Sequence, residues 1–168
     1  LGNGDWPNNN TKFWRYRRSF NDPSLNNHLD GRWRWLFYDL DAAFGGDCSG
    51  IYPSHNSLTR ATDPAYNKYT RPLRSLLVNS QFKIDFINRY ADLLNSNFLS
   101  KQLVNSINKT NINVTSEIQQ HVERWRYPSV ANDLLARSIE TPSTLKWNTI
   151  VSDLLNFANQ RADKTRKQ

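Results

Sequence analysis

The chain has 168 residues, 38% of them hydrophobic, which is the length of one domain with enough apolar surface for a core. Its 22 Lys and Arg stand against 15 Asp and Glu, a net charge of +7 that favours anionic partners without naming one. A single cysteine, Cys48, excludes an internal disulfide and any multi-cysteine zinc centre, and no run approaches the roughly 18 apolar residues of a membrane span. Methionine is absent even from position 1, and Leu1 to Asn10 is polar where a signal peptide would be basic and then apolar. The chain therefore reads as a piece of a longer protein.

Lys12 to Arg18, with Phe13, Trp14 and Tyr16, has the aromatic content of a strand, and Arg32 to Leu40, with Trp33, Trp35 and Phe37, has the same character. Ser19 to Gly31 is dense in turn formers and joins the two strands as a hairpin loop, with Asp30-Gly31 as its sharpest turn signal. Phe44 to Asp63 holds Gly45, Gly46, Gly50 and Pro53 with no periodicity and predicts a long loop.

Helical spacing follows. Leu73, Leu76 and Leu77 predict one helix and Phe82, Phe86, Ile87, Tyr90, Leu93 and Leu94 another, parted at Asn79 or Ser80. Ser100 is a cap for a helix through Leu103, Val104 and Ile107, and Thr115-Ser116-Glu117 starts a separate one through Ile118, Val122 and Trp125 before Pro128 breaks the chain. The last helix is capped by Ser143, runs through Leu145, Ile150, Leu154, Leu155 and Phe157 or Ala158, and ends in the solvated basic tail Arg161 to Gln168, which resembles a helix end whose positive charge suits the helix dipole.

Two segments could carry chemistry. In Gly2-Asn3-Gly4-Asp5-Trp6-Pro7-Asn8-Asn9-Asn10, Asp5 and Asn10 have the spacing of the phosphotransferase pattern H-R-D-x-x-x-x-N, where a carboxylate orients the attacking hydroxyl and an amide oxygen holds a metal. The alternative is a turn of the Asx type in an Asn-rich loop. In Tyr38-Asp39-Leu40-Asp41, the two carboxylates alternate along the strand and share a side. Such neighbours repel unless a cation lies between them, and Mg²⁺ takes oxygen ligands of this kind. The alternative places Asp39 as a turn cap and Asp41 in solvent.

Taken together, Gly4-Asp5-Trp6-Pro7-x-Asn9-Asn10, Trp14-Arg15, Gly31-Arg32-Trp33-Arg34-Trp35, Tyr38-Asp39-Leu40-Asp41 and Phe44-Gly45 resemble the CotH (spore-coat protein H) kinase family. The likeness continues more softly through Leu76-Leu77, Phe82, Phe86, Arg89, Ala91 to Asn95 and His121 to Trp125. The resemblance implies an α+β, mainly α fold, a protein-kinase-like C-lobe with a β-hairpin packed on a helical bundle. It divides the chain into a catalytic loop, hairpin and metal motif at 1–45, a long loop at 46–69 and a helical part at 70–168.

The implied activity is Mg²⁺-dependent transfer of the ATP γ-phosphate to serine, threonine or tyrosine hydroxyls of a protein substrate, with Mn²⁺ as a substitute metal. By position, Asp5 is the catalytic carboxylate, and Asn10, Asp39 and Asp41 are the metal ligands. Asn9 is the cofactor-binding residue and can exchange roles with Asn10 within the asparagine run. The family resemblance also implies an extracytoplasmic or cell-surface location. No G-x-G-x-x-G loop and no Val-Ala-Ile-Lys-like strand occurs, so this fragment alone is expected to grip nucleotide poorly and to be inactive. The alternative function is a catalytically silent kinase-fold binding module at the cell envelope.

Arg15, Arg17, Arg18, Arg32 and Arg34 interleave with Trp14, Trp33 and Trp35. That pattern suits either a nucleic-acid surface or an amphipathic hairpin with its aromatic face under the helices, and the second is expected here, with no nucleic-acid partner. An arginine of this hairpin suits equally a phosphate or a salt bridge to Asp5 or Asp39, since the guanidinium favours bidentate partners. His28, His55 and His121 lack zinc-ligand spacing, and Cys48 beside Asp47 has nothing to lower its pKa.

Overall fold

The structure, a computed structural model, describes residues 2–3, 6, 10–17, 19, 22, 24–25, 27–40, 42–45, 52–65, 68–125 and 143–168. The fold is α+β and mainly α: strand β1 (Lys12–Trp14), a 3₁₀ turn (Asn27–Leu29), strand β2 (Arg34–Leu36) and helices α1 (Ser57–Thr62), α2 (Arg71–Leu77), α3 (Ser80–Leu94), α4 (Ser100–Trp125) and α5 (Thr144–Arg166). They fall into two compact units, Leu1–Ile51 with Asn56–Ser80 and Tyr52–His55 with Gln81–Gln168.

In the first unit β1 and β2 pair antiparallel, Lys12 opposite Leu36, Phe13 opposite Trp35 and Trp14 opposite Arg34. The strands are shorter than their aromatic runs predict: β1 starts at Lys12 as expected but ends at Trp14, and β2 spans only Arg34–Leu36. At one end of the pair two residues are left-handed, Asn10 (φ 56°) before β1 and Asp39 (φ 53°) after β2. At the other end Gly31 (φ 77°) makes the expected turn.

Asp30, beside it, is buried. Its two carboxylate oxygens each accept an Arg34 guanidinium N–H at 2.8 Å, and Oδ1 also accepts the Arg32 backbone N–H at 2.9 Å. The Asp30 carbonyl takes the Asp22 N–H at 3.1 Å. The side-chain bonds from Arg34 lead in pulling the Asp30 carboxyl down from 3.8 to about 2. Arg34, one of the hairpin arginines suited to a phosphate or a site carboxylate, has Asp30 as its bidentate partner, four residues away.

The aromatic face of the hairpin differs from expectation in being exposed: Phe13 is 55%, Trp33 61% and Trp35 53% accessible. These rings instead cover one another edge to face, Phe13 against Trp33 at 5.3 Å and against Trp35 at 5.6 Å, and the Arg15 guanidinium lies 4.9 Å over Trp33. On the other face Trp14 meets Arg34 at 5.8 Å and His28 at 5.7 Å.

The segment predicted as one long loop contains α1. Asn56 caps it, its Oδ1 accepting the Thr59 N–H at 2.8 Å. Six residues are too few to give a periodic signal. Helix α2 starts with Pro72 in its first turn, where the missing N–H costs nothing. Gly46, Gly50 and Cys48 of the loop, and Pro128, lie outside the described residues.

In the second unit Phe82, Phe86 and Tyr90 stack along α3 at 6.4 and 6.1 Å, the i, i+4 ladder that the sequence spacing predicts. Helix α4 is continuous where two helices are predicted. Thr115 does not cap: its hydroxyl donates back to the Asn111 carbonyl at 2.6 Å, inside the helix. The Asn111 side chain accepts the Trp147 indole N–H of α5 at 3.0 Å, and the stripe Ile107, Asn111, Val114, Ile118, Val122 runs unbroken through the predicted junction.

Ser143 caps α5 as predicted, accepting the Lys146 N–H at 3.1 Å. The basic end is helical, as expected, and α5 runs to Arg166, but it is not wholly solvated: the buried stripe Phe157, Ala158, Arg161, Ala162, Thr165 enters it. Arg161 is 6% exposed and donates from Nη1 to the carbonyls of Pro53 and His55, both at 2.7 Å. Burial disfavours its charge and raises the Tyr90 phenol pKa, while the attraction between the two groups opposes both shifts. Arg166 donates to the Leu94 carbonyl at 2.8 Å, satisfying the end of α3. Among the described residues no helix is long and apolar enough to cross a membrane.

Two outcomes follow from these contacts. Arg161→Met, which keeps the bulk but leaves two carbonyls unpaired, lowers unfolding stability by about 2 kcal/mol in chemical denaturation. Because the folded Asp30 carboxyl sits at about 2, below its ordinary 3.8, its contribution is complete above about pH 4 and is lost as pH falls toward 2. Tryptophan fluorescence in an acid titration reports this loss, and Asp30→Asn removes that part of the transition.

Candidate active site

The residues at the closed end of the hairpin are brought together by its register. With Lys12 opposite Leu36, continuing both chains outward by two or three residues sets Asn10 beside Asp39. The Asn10 amide Nδ2 donates to the Asp39 carbonyl at 3.2 Å, and the Asn3 amide Nδ2 donates to the same carbonyl at 3.2 Å. Asn3 is fixed at its other atom, since its Oδ1 accepts the Trp6 N–H at 3.2 Å.

Asn10 and Asp39 are both in the left-handed region. Asn and Asp are the non-glycine residues that tolerate it best, at a cost of about 1 kcal/mol each. Beyond Asp39, Leu40 accepts the Ala43 N–H at 2.9 Å in a turn. Ala42 and Ala43 are buried, 2% and 4% exposed, so the turn is anchored. Asp39 is therefore not a strand residue, as alternation with Asp41 requires. Its left-handed φ takes it out of the pleat.

Of the five residues that the sequence singles out, Asn10 and Asp39 are brought together, whereas Asp5, Asn9 and Asp41 lie outside the described residues. Lys12 places its ammonium 4.9 Å over the Tyr38 ring, beside the same strand end. The Asn10 amide oxygen and the exposed Asp39 carboxylate are hard oxygen donors of the kind Mg²⁺ takes, usually one or two protein ligands completed by water and phosphate. Among the described residues no three His, Cys, Asp or Glu side chains gather into a larger cage. Sequence reasoning assigns Asn3 no role, and its place between two glycines is the only local hint.

The conformational requirement at Asn10 has a measurable consequence. Both Asn10→Ala and Asn10→Gly lose the bond to Asp39, but the alanine also carries a Cβ into the left-handed region. Urea denaturation should find the alanine variant less stable than the glycine variant by about 1 kcal/mol.

No curated protein and no solved structure matches the chain. A family model described as CotH kinase protein matches residues 1–164, nearly the whole length. The match takes in the Asn3, Asn10 and Asp39 cluster, helices α1 to α4 and all but the last two residues of α5, and by it the chain belongs to the CotH kinase family, with the kinase-like function that the family's description carries.

Proposed function

We propose that this chain supplies the C-lobe side of an active site that transfers the γ-phosphate of ATP to a protein hydroxyl. The observation that carries the reading is the hydrogen bond from Asn10 to the Asp39 carbonyl. It joins the loop with the Asp-x-x-x-x-Asn spacing to the Tyr-Asp-Leu-Asp segment, the two parts that phosphoryl transfer needs side by side.

In this reading Asp5 accepts the proton of the serine, threonine or tyrosine hydroxyl as its oxygen bonds to the γ-phosphorus. The bond from that phosphorus to the β,γ-bridging oxygen breaks, and ADP leaves. Asn10 and Asp39 would hold Mg²⁺ through their side-chain oxygens, with the roles of a further metal ligand for Asp41 and of a nucleotide contact for Asn9 resting on their places in the sequence motifs. Mg²⁺, or Mn²⁺ in its place, would supply neutralisation of the phosphate charge there. Catalysis of this kind rests on position and charge, so few side chains suffice.

The test is transfer of labelled γ-phosphate by the full-length parent protein in Mg²⁺, to itself and to a panel of protein substrates. Asp5→Ala and Asp39→Ala each lower the wild-type rate by about a hundredfold or more. Absence of transfer by the wild type, or unchanged transfer in both variants, would overturn the reading.

A further inference from the structure

We propose that Asn3 is a positioning residue for the Asp39 carboxylate, a role that rests on the reading of Asp39 as a metal ligand. The Asn3 amide is used at both of its atoms. Nδ2 donates to the Asp39 carbonyl and Oδ1 accepts the Trp6 N–H, each at 3.2 Å. A carbonyl on one side and an N–H on the other fix which way the amide faces.

The Asp39 backbone needs such a hold. At φ 53° it lies in a region about 1 kcal/mol above the ordinary ones for a residue with a Cβ, and rotation out of that region would swing the carboxylate away. Asn10 also holds the carbonyl, but its amide oxygen is assigned to the metal. Asn3 carries no metal assignment and ties the Asp39 carbonyl to the segment in which Asp5 lies, between Asn3 and Trp6 in sequence. Removing it leaves every proposed ligand atom in the chain while loosening the hold on Asp39 and freeing the Trp6 N–H, which is the action of an outer partner on a metal ligand.

The experiment counts free Mn²⁺ by electron paramagnetic resonance in solutions of the full-length parent protein, comparing wild type, Asn3→Ala and Asp39→Ala, with thermal unfolding of each. Asn3→Ala should still unfold cooperatively and bind Mn²⁺ about tenfold more weakly than wild type. Affinity within about twofold of wild type, or loss of cooperative unfolding that marks Asn3 as merely structural, would overturn the proposal. The Asp39→Ala arm separates the two readings. If it abolishes Mn²⁺ binding while Asn3→Ala binds as wild type does, only the role of Asn3 falls. If Asp39→Ala binds as wild type does, the assignment of Asp39 falls and the role of Asn3 with it.

Discussion

The Asp39 carbonyl accepts hydrogen bonds from two side-chain amides, Asn10 at 29 residues' separation and Asn3 at 36. These bonds close the end of the hairpin at which both strands stop. They also compensate for the left-handed backbone at Asn10 and Asp39, a conformation that persists only where the surroundings over-determine it and that gathers at functional sites. The limit of the pairing at this end and the apposition of Asn10 and Asp39 thus go with one cluster. A slip of one residue would turn the strand side chains to the opposite face and separate Asn10 from Asp39.

The far end of the hairpin is held by a different force. Arg34 and Asp30 form a fork-to-fork ion pair with the Arg32 N–H as a third donor, in a site buried on the carboxylate side and open on the arginine side. Planar guanidinium geometry makes the pair directional, so it fixes where β2 begins. A hairpin of three residues per strand has little stability of its own. Clamps at both ends are what hold so short a ribbon together. In the second unit Arg161 has the comparable task, its buried guanidinium tying Tyr52–His55 to α5 through two carbonyls.

Much of this was legible in the sequence where the governing interaction is local. Aromatic content marked both strands, Asp30-Gly31 marked the turn, three-and-four spacing marked α2 and α3, and Ser143 marked the start of α5. The Asp-x-x-x-x-Asn and Tyr-Asp-Leu-Asp spacings located the parts of the candidate site, of which Asn10 and Asp39 are brought together. What the sequence hid depends on a competing partner. Thr115 reads as a cap until its hydroxyl is seen bonding the Asn111 carbonyl within α4. Arg161 reads as solvated until two carbonyls over 100 residues away are found to receive it. Arg34 reads as a candidate partner for a site carboxylate until Asp30 takes it in bidentate fashion. Asn3 went unassigned because its importance lies in a backbone carbonyl, which no side-chain pattern encodes.

The most direct test of the account is the anomalous diffraction of Mn²⁺ in crystals of the full-length parent protein grown with a non-hydrolysable ATP analogue. The account predicts a peak within bonding distance of the Asn10 amide oxygen and the Asp39 carboxylate, next to the analogue's phosphates. Nucleotide bound with no such peak, or a peak that leaves both residues uncoordinated, would contradict it.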